Sequence, residues 1–505
     1  MDDDSSGDDD IHAVDWDDDT DMMAAAVLVI ANMNEVMMDS IMDAYEQEQE
    51  RERIQLMEDI LTPSQAYRHQ PRRPKAIFRH HEALWCIQRD YFGFAGDLST
   101  PIFKDKNFEM MFRLSRTRVQ RIFEDVMNAQ HPFYACNSDA TGKKGASLEA
   151  KILLPLKTCA FGTAEHAFCD YFQMSHALAS KCCEEYAKMM RQVYGAEYLR
   201  IPDENDIKKI IQLHSEAHGV PGMFGCLDCM HTRWKNCPKA WQQSYKSGKE
   251  SGGPTVVLEA LSDYHLWFWH ASFGYAGSLN DLNILNLSPL LESLVDGSFA
   301  KLEERAGIVP FDIGGEQFNR LFALVDGIYP RYSRFVKGIQ VPLTHSEKAY
   351  TAWQEAARKD IERAFGVLQS RFQIMARPFQ SHSLIKISNT AAACLIMHNM
   401  CVSDRVMDGN VYAVYDPSYS VAERETLELD MIPIGESNRE YGHGENEHDT
   451  NADFEEFAAP IGLGNGANEF VVQHMLARQD NWKGLNDQYE HARLHAALKR
   501  VKGGE

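Results

Sequence analysis

The chain has 505 residues and a formal charge of −23, enough length for two or three domains with real cores. The acidity is uneven: residues 1–62 hold 20 acids against two bases and 403–505 hold 20 against nine, which leaves 63–402 at +6. The negative total therefore does not exclude nucleic acid as a partner of the body. No apolar stretch reaches the roughly 20 residues of a spanning helix, so no membrane partner is expected. The 11 cysteines are odd in number and scattered. No signal-peptide pattern precedes them, so free thiols in a reducing, intracellular setting are expected.

Residues 1–21 hold eleven aspartates, and 1–62 reads as an acidic, mostly disordered tail. Within it Val27, Ile30, Met33, Met37, Ile41 and Met42 are spaced helically, as either a partner-binding amphipathic helix or a marginal helix lacking a core. A basic linker, 63–106, follows, with Arg68, Arg72, Arg73, Lys75 and Arg79. It reads as a nuclear-import signal, an arm laid along phosphates, or a solvated connection.

Residues 107–200 read as helical. Ser115 is an N-cap for a helix with a basic face at Arg116, Arg118 and Arg121. Helices are then expected over 148–161, 164–171 and 175–194, with Pro155 bending the first and Ser175 capping the third. This is the layout of a helix-turn-helix module, although an ordinary three-helix bundle has the same pattern. In the DNA-binding reading, His176, Ser180, Lys181 and Lys188 of the third helix face a groove.

Residues 215–404 change character. Strands are expected at 223–228, 255–261, 266–273 and 321–326. A helix should span 280–294, a charged loop 296–319, one long helix 346–375 and an apolar helix 385–404. Three strands, helix, strand, then helices predicts an α/β, RNase H-like mixed sheet with flanking helices. The remainder, 405–505, reads as a second acidic, mostly disordered tail with one short helix at 483–502.

Two expected strands end in acids, Asp228 after Met223-Phe224-Gly225-Cys226-Leu227 and Asp326 after Leu321-Phe322-Ala323-Leu324-Val325. Carboxylates are depleted in buried strands and costly there unpaired. Glu362 follows on the long helix, beside the apolar stripe Ala357, Ile361, Ala364, Phe365 and Leu368. Two strand-end acids and one helix acid suit a pair of magnesium ions about 3.5–4 Å apart, the arrangement of phosphodiester chemistry. A salt-bridged surface role for Glu362 stays open, with Arg358 and Arg363 as orienting or phosphate-holding partners. Asp281, in Gly277-Ser278-Leu279-Asn280-Asp281, reads as a helix cap or as a fourth acid.

Cys226 and Cys229 have the spacing of half a zinc site, but residues alternate faces along a strand and no second pair follows. Structural cysteines are expected. The next segment, Arg233, Trp234, Lys235, Lys239, Trp241, Lys246 and Lys249, interleaves bases with aromatics as a phosphate-and-base contact surface would.

The strings Gly225-Cys226-Leu227-Asp228-Cys229-Met230-His231, Trp234-Lys235-Asn236-Cys237-Pro238, Val325-Asp326-Gly327-Ile328-Tyr329-Pro330, Glu362-Arg363-Ala364-Phe365-Gly366 and Leu395-Ile396-Met397-His398-Asn399-Met400 resemble transposases of the PIF/Harbinger superfamily, in particular its plant-transposon-protein branch. The resemblance covers roughly 108–404. It implies a DDE endonuclease and strand-transfer domain using two magnesium or manganese ions, with catalytic Asp228, Asp326 and Glu362 and with Asp281 as a further metal ligand. It also implies an upstream helix-turn-helix, double-stranded DNA partners (terminal inverted repeats and a target site), a separate Myb-like DNA-binding protein, a homo-oligomer and a nuclear location. Cys229-Met230 departs from the Gly-Thr common in the superfamily. A domesticated DNA-binding or adaptor protein without transposition is the competing expectation.

Overall fold

The computed structural model describes residues 78–503 except 95–99, 136–137, 139–141, 143, 248–251 and 408–480. All described residues fall in the second of two units, Ile77–Glu505. The acidic segment 1–62, the basic residues 68–75 and most of the tail after 405 lie outside the described residues.

The first half is helical: α1 (His80–Ile87), α2 (Asp105–Phe112), α3 (Arg116–Asn128), α4 (Leu148–Phe161), α5 (His176–Tyr198) and α6 (Glu204–His218). Local chemistry sets their starts. The hydroxyls of Ser115, Ser147 and Ser175 accept from the backbone N–H of Arg118, Ala150 and Leu178 at 3.2, 3.3 and 3.2 Å. Between α4 and α5 only a single 3₁₀ turn forms, Glu165–Phe168, in place of the expected helix over 164–171. Helix α6 carries no Gly or Pro and is opened by a capping box at Asp203 and Asp206. It falls in a stretch where the sequence reading expected no separate helix.

The sheet comprises β1 (Met223–Arg233), β2 (Thr255–Ser262), β3 (Phe268–Ala276), β6 (Phe322–Leu324) and β7 (Phe335–Val336). Its order is β3-β2-β1-β6-β7. The first three strands pair antiparallel, while β1–β6 and β6–β7 are parallel. A register shift separates Met223 and Gly225. Gly225 is required there: with φ at +155°, a Cβ would lie 2.7 Å from Leu261 Cδ2 and 2.8 Å from the Ser262 carbonyl.

Between β3 and β6 lie α7 (Asp281–Leu287), α8 (Pro289–Val295), α9 (Ser298–Ala306) and a small hairpin of β4 (Phe311–Ile313) and β5 (Glu316–Phe318). The single helix expected over 280–294 is interrupted at Ser288, because Pro289 disfavours helical geometry in the residue before it. The charged stretch 296–319 is structured through Glu303, which is buried and pairs with Arg334 at 2.6 and 2.7 Å. Glu303 also accepts from the N–H of Leu321 at 2.7 Å, so this helix is docked against the sheet.

Helices cover both faces of the sheet. On one, Cys226, Met230, Leu258, Ala260 and Leu324 pack with Ala357, Ile361, Ala364 and Leu368 of α10 (His345–Arg371) and with α11 (Leu384–Met407). On the other, Leu227, Leu261 and Ala323 pack with Ile207, Leu291, Leu294 and Leu302 of α6, α8 and α9. The expected short C-terminal helix is present as α12 (Gln488–Gly503). It is docked on α10 through buried Leu494, Ala497 and Leu498. No helix among the described residues is long and apolar enough to cross a membrane.

Candidate nuclease site

The β1–β6 ladder ends at the pair Cys226–Leu324, so Asp228 stands just past the point where β6 stops flanking β1. Its strand continues against β2, with Asp228 opposite Ala260. Asp326 lies two residues beyond β6 and is exposed. The carbonyl of Val325 just before it accepts from Gln354 Nε2 of α10 at 3.0 Å, which ties the end of β6 to that helix. Thr344 and Glu347 form a capping box that starts α10, and one turn beyond Ala357 the helix presents Glu362 at the packed edge.

Arg358 joins two of these acids. Its Nη1 donates to Asp228 Oδ2 at 3.2 Å, and its Nη2 pairs with Glu362 Oε1 at 2.8 Å. Burial works against the guanidinium charge, but Asp228, Glu362 and Asp326 together hold its pKa above the ordinary value. The Asp228 carboxyl is pushed up to about 7. Burial is the main cause, Glu362 and Asp326 add to it, and Arg358 and the N–H of Cys229 oppose it. A fifth of the Asp228 side chain remains exposed, so the group is not sealed in the core. Carboxylate oxygens are the donors that hard divalent cations prefer, and Asp228, Asp326 and Glu362 supply them, although among the described residues their donor atoms do not all lie within 4.8 Å of one another. On that ground the residues fit the expected metal.

Asp281 is placed differently. Asn280, not Asp281, caps α7, accepting from the N–H of Asn283 at 2.9 Å. Asp281 is buried in the first turn, and Ile284 of the same helix packs with Cys229, Val257 and Tyr275. The charge of Asp281 contributes to raising the Cys229 thiol and the Tyr329 hydroxyl, after burial. The same thiol and hydroxyl also feel the charge of Asp228, so Asp281 and Asp228 lie within electrostatic reach of common neighbours.

The two cysteines of the zinc-like spacing also divide between the faces. Cys226 Sγ donates to the Ala357 carbonyl at 3.3 Å, and Cys229 Sγ lies 3.6 Å from the Tyr329 hydroxyl. Among the described residues every cysteine is free. Strand alternation accounts for the division.

Of the basic-aromatic segment, Lys235, Lys239 and Lys246 are exposed and Arg233 is half-buried, while Lys249 lies outside the described residues. Trp234 corrects the sequence expectation. It is fully buried, and its Nε1 donates to the Ser381 carbonyl at 2.7 Å, so no ring face is left for a base. On α5, His176 and Lys181 are exposed, but Lys181 pairs with Glu184 and Glu185 at 3.3 and 2.8 Å, and Lys188 with Glu184 at 2.7 Å. The basic face of α3 is likewise neutralised: Arg116 pairs with Asp105, Arg118 with Asp404 and Arg121 with Asp125.

A second cluster escaped sequence reading. Among the described residues, His214, His218 and Asp360 form the one group of three metal-ligating side chains whose donor atoms all lie within 4.8 Å of one another. The H-x-x-x-H spacing was legible at 214–218, but the helix that gives it meaning was not recognised. Arg363 pairs with Asp360.

The sheet order and the helices on both faces define a mixed-sheet α/β protein with acids beside the end of β6. Residues 196–408 match the family model described as plant transposon protein, and the likeness to Harbinger-type transposases is thereby shown. The human protein printed as "Putative nuclease HARBI1" is 24% identical over 298 residues, 57% of this chain and 79% of the relative. Its Bos taurus counterpart gives the same figures, and that of Xenopus laevis is 23% identical over 264 residues, 51% and 69%. No solved structure matches the chain.

Proposed function

We propose that this protein is a DDE-type DNA endonuclease and transposase, built on an RNase H-like domain, that acts in the nucleus on double-stranded DNA. The observation that carries this reading is that Arg358 joins Asp228 and Glu362, at 3.2 and 2.8 Å, beside the end of the parallel β1–β6 ladder, with Asp326 two residues beyond β6. The likeness to proteins named as nucleases agrees with it.

In this reading Asp228, Asp326 and Glu362 hold two magnesium or manganese ions, with Asp281 assisting from the start of α7. When bound, the ions supply activation of the attacking water or 3′-hydroxyl and charge stabilisation at the leaving oxygen. The protein's own part is positional. The sheet fixes Asp228, Gln354 anchors the turn bearing Asp326, and α10 sets Glu362. Arg358 compensates the carboxylates in the metal-free chain and is suited to pass to phosphate oxygens on DNA binding. Lys235, Lys239, Lys246 and Arg233 contribute phosphate contacts beyond the end of β1. The region around α4 and α5 serves as the helix-turn-helix, with His176 and Lys181 toward DNA and the surface pairs of Lys181 weak enough to exchange for phosphate. Terminal inverted repeats and target DNA are the substrates, strand transfer follows hydrolysis, and a homo-oligomer with a Myb-like partner assembles the ends.

The test is magnesium-dependent cleavage of element-end DNA by wild type against Asp228→Ala, Asp326→Ala and Glu362→Ala. Loss of cleavage in each variant is the expected result. Cleavage that survives the substitutions overturns the catalytic assignment. A folded but inert wild type leaves the domesticated DNA-binding protein as the better account.

A further inference from the structure

We propose that His214, His218 and Asp360 form a binding site for one divalent transition-metal ion of the zinc class, which pins α6 to α10. The site is separate from the three acids and does not depend on their assignment.

His214 and His218 are four apart on α6, so their imidazoles share one face, and their rings stack at 5.5 Å. Asp360 reaches them from α10 and is fully buried. Neither ring nitrogen of His214 has a hydrogen-bond partner, and that residue is 0% exposed. A buried imidazole with two idle nitrogens is costly, and coordination would remove the cost. His218 Nε2 lies 2.7 Å from Asp360 Oδ2, while Arg363 takes Oδ1. One carboxylate oxygen is thus already oriented toward the imidazoles.

Two imidazole nitrogens and one carboxylate oxygen form a mixed donor set preferred by zinc and its neighbours, whereas magnesium prefers oxygen alone. Ligands at about 2.0–2.1 Å in tetrahedral geometry stand roughly 3.3 Å apart. The His218–Asp360 contact must therefore open by roughly 0.6 Å to admit an ion, a small rotation of one ring. Tyr264 meets His218 edge-on at 5.4 Å, and Trp353 Nε1 donates to the His218 carbonyl at 3.3 Å. These contacts orient the pocket from outside the ligand set.

The location gives the ion a structural role. Helix α6 ends at His218 and the chain enters β1 at Met223, five residues before Asp228. Asp360 lies two residues before Glu362 on α10. An ion here would fix the strand carrying one acid against the helix carrying another.

The experiment uses the full chain, stripped with a chelator and titrated with Co²⁺, then with Zn²⁺ in competition. With Mg²⁺ in large excess to occupy the three acids, one equivalent of Co²⁺ should bind tightly, with the visible absorption of a four-coordinate nitrogen and oxygen site and no thiolate-to-cobalt band. Zn²⁺ should displace it. His214→Gln and Asp360→Asn should each weaken binding by at least about 100-fold, more than changes outside the ligand set cost, while Glu362→Gln leaves it unchanged. Circular dichroism of the metal-free variants establishes that they fold, and His218→Gln substitutes for any that does not. Lack of stoichiometric binding, a thiolate band, binding that survives His214→Gln and Asp360→Asn, or binding lost in Glu362→Gln would each overturn the site.

Discussion

Arg358 Nη1 lies 3.2 Å from Asp228 Oδ2, so the helix bearing one of the three acids also carries the cation that holds another. Because the same guanidinium reaches Glu362 at 2.8 Å, metal-free stability and metal loading compete for the same carboxylates. Arg358→Gln should lower the metal-free unfolding free energy by about 2 kcal/mol. This lies below the roughly 3–5 kcal/mol for a fully buried pair because both side chains are partly exposed. Added Mg²⁺ should restore more of the loss in the variant than it adds to wild type. Chemical denaturation with and without Mg²⁺ measures both.

The raised Asp228 pKa has a pH consequence. Its folded value of about 7 lies above the ordinary 3.8, so between those values the folded state holds a proton that the unfolded state has released. The group's contribution to metal-free stability is then largest below about pH 4, falls as pH rises, and is lost above about pH 7. The upper bound is about 4 kcal/mol. Protons and divalent ions compete for the carboxylate, so Mg²⁺ affinity should climb from pH 5 to 7 and then level. Asp228→Asn should remove the pH-dependent component from both curves.

Trp234 and its neighbouring lysines should separate cleanly. Trp234→Phe removes the buried Nε1 hydrogen bond to Ser381 and should cost about 1–3 kcal/mol of stability without altering the salt dependence of DNA binding. Lys235→Ala with Lys239→Ala should leave the melting temperature unchanged and reduce the salt slope of binding by about two. A melting curve and a salt series of binding isotherms distinguish the two roles.

The C-terminal helix is expected to be part of the fold. Leu494 and Leu498 of α12 are buried against the body, and Lys499 pairs with Glu347 in the α10 capping box at 3.3 Å. Ending the chain at 480 should lower stability by at least about 3 kcal/mol, the burial of two leucines at roughly 1.5 kcal/mol or more each. Backbone hydrogen exchange should rise first in the opening turns of α10.

Much of this architecture was legible because periodicity is local. The apolar runs ending at Asp228 and near Asp326, the Ser115 and Ser175 caps, and the long α10 stripe were read from neighbours in sequence. Contacts over long separations were not. The burial of Trp234 depends on Ser381, 147 positions away. The basic face of α3 is neutralised in part by Asp404, 286 positions from Arg118. The stretch 296–319 looked like a charged loop because nothing local reveals that Glu303 will find Arg334 in the interior.

By itself the sequence determined which elements form and which residue types could do metal chemistry, since hydrophobic spacing, capping and turn residues act within a few positions. Only the tertiary structure decided which acids share Arg358. Strand alternation and the parallel placement of β6 beside β1 turn Asp228 toward Arg358 and Glu362. The same packing, of α6 on α10, brings His214, His218 and Asp360 together from positions as far as 146 apart. Local propensity does not encode such a meeting; burial of two helix faces against one sheet does.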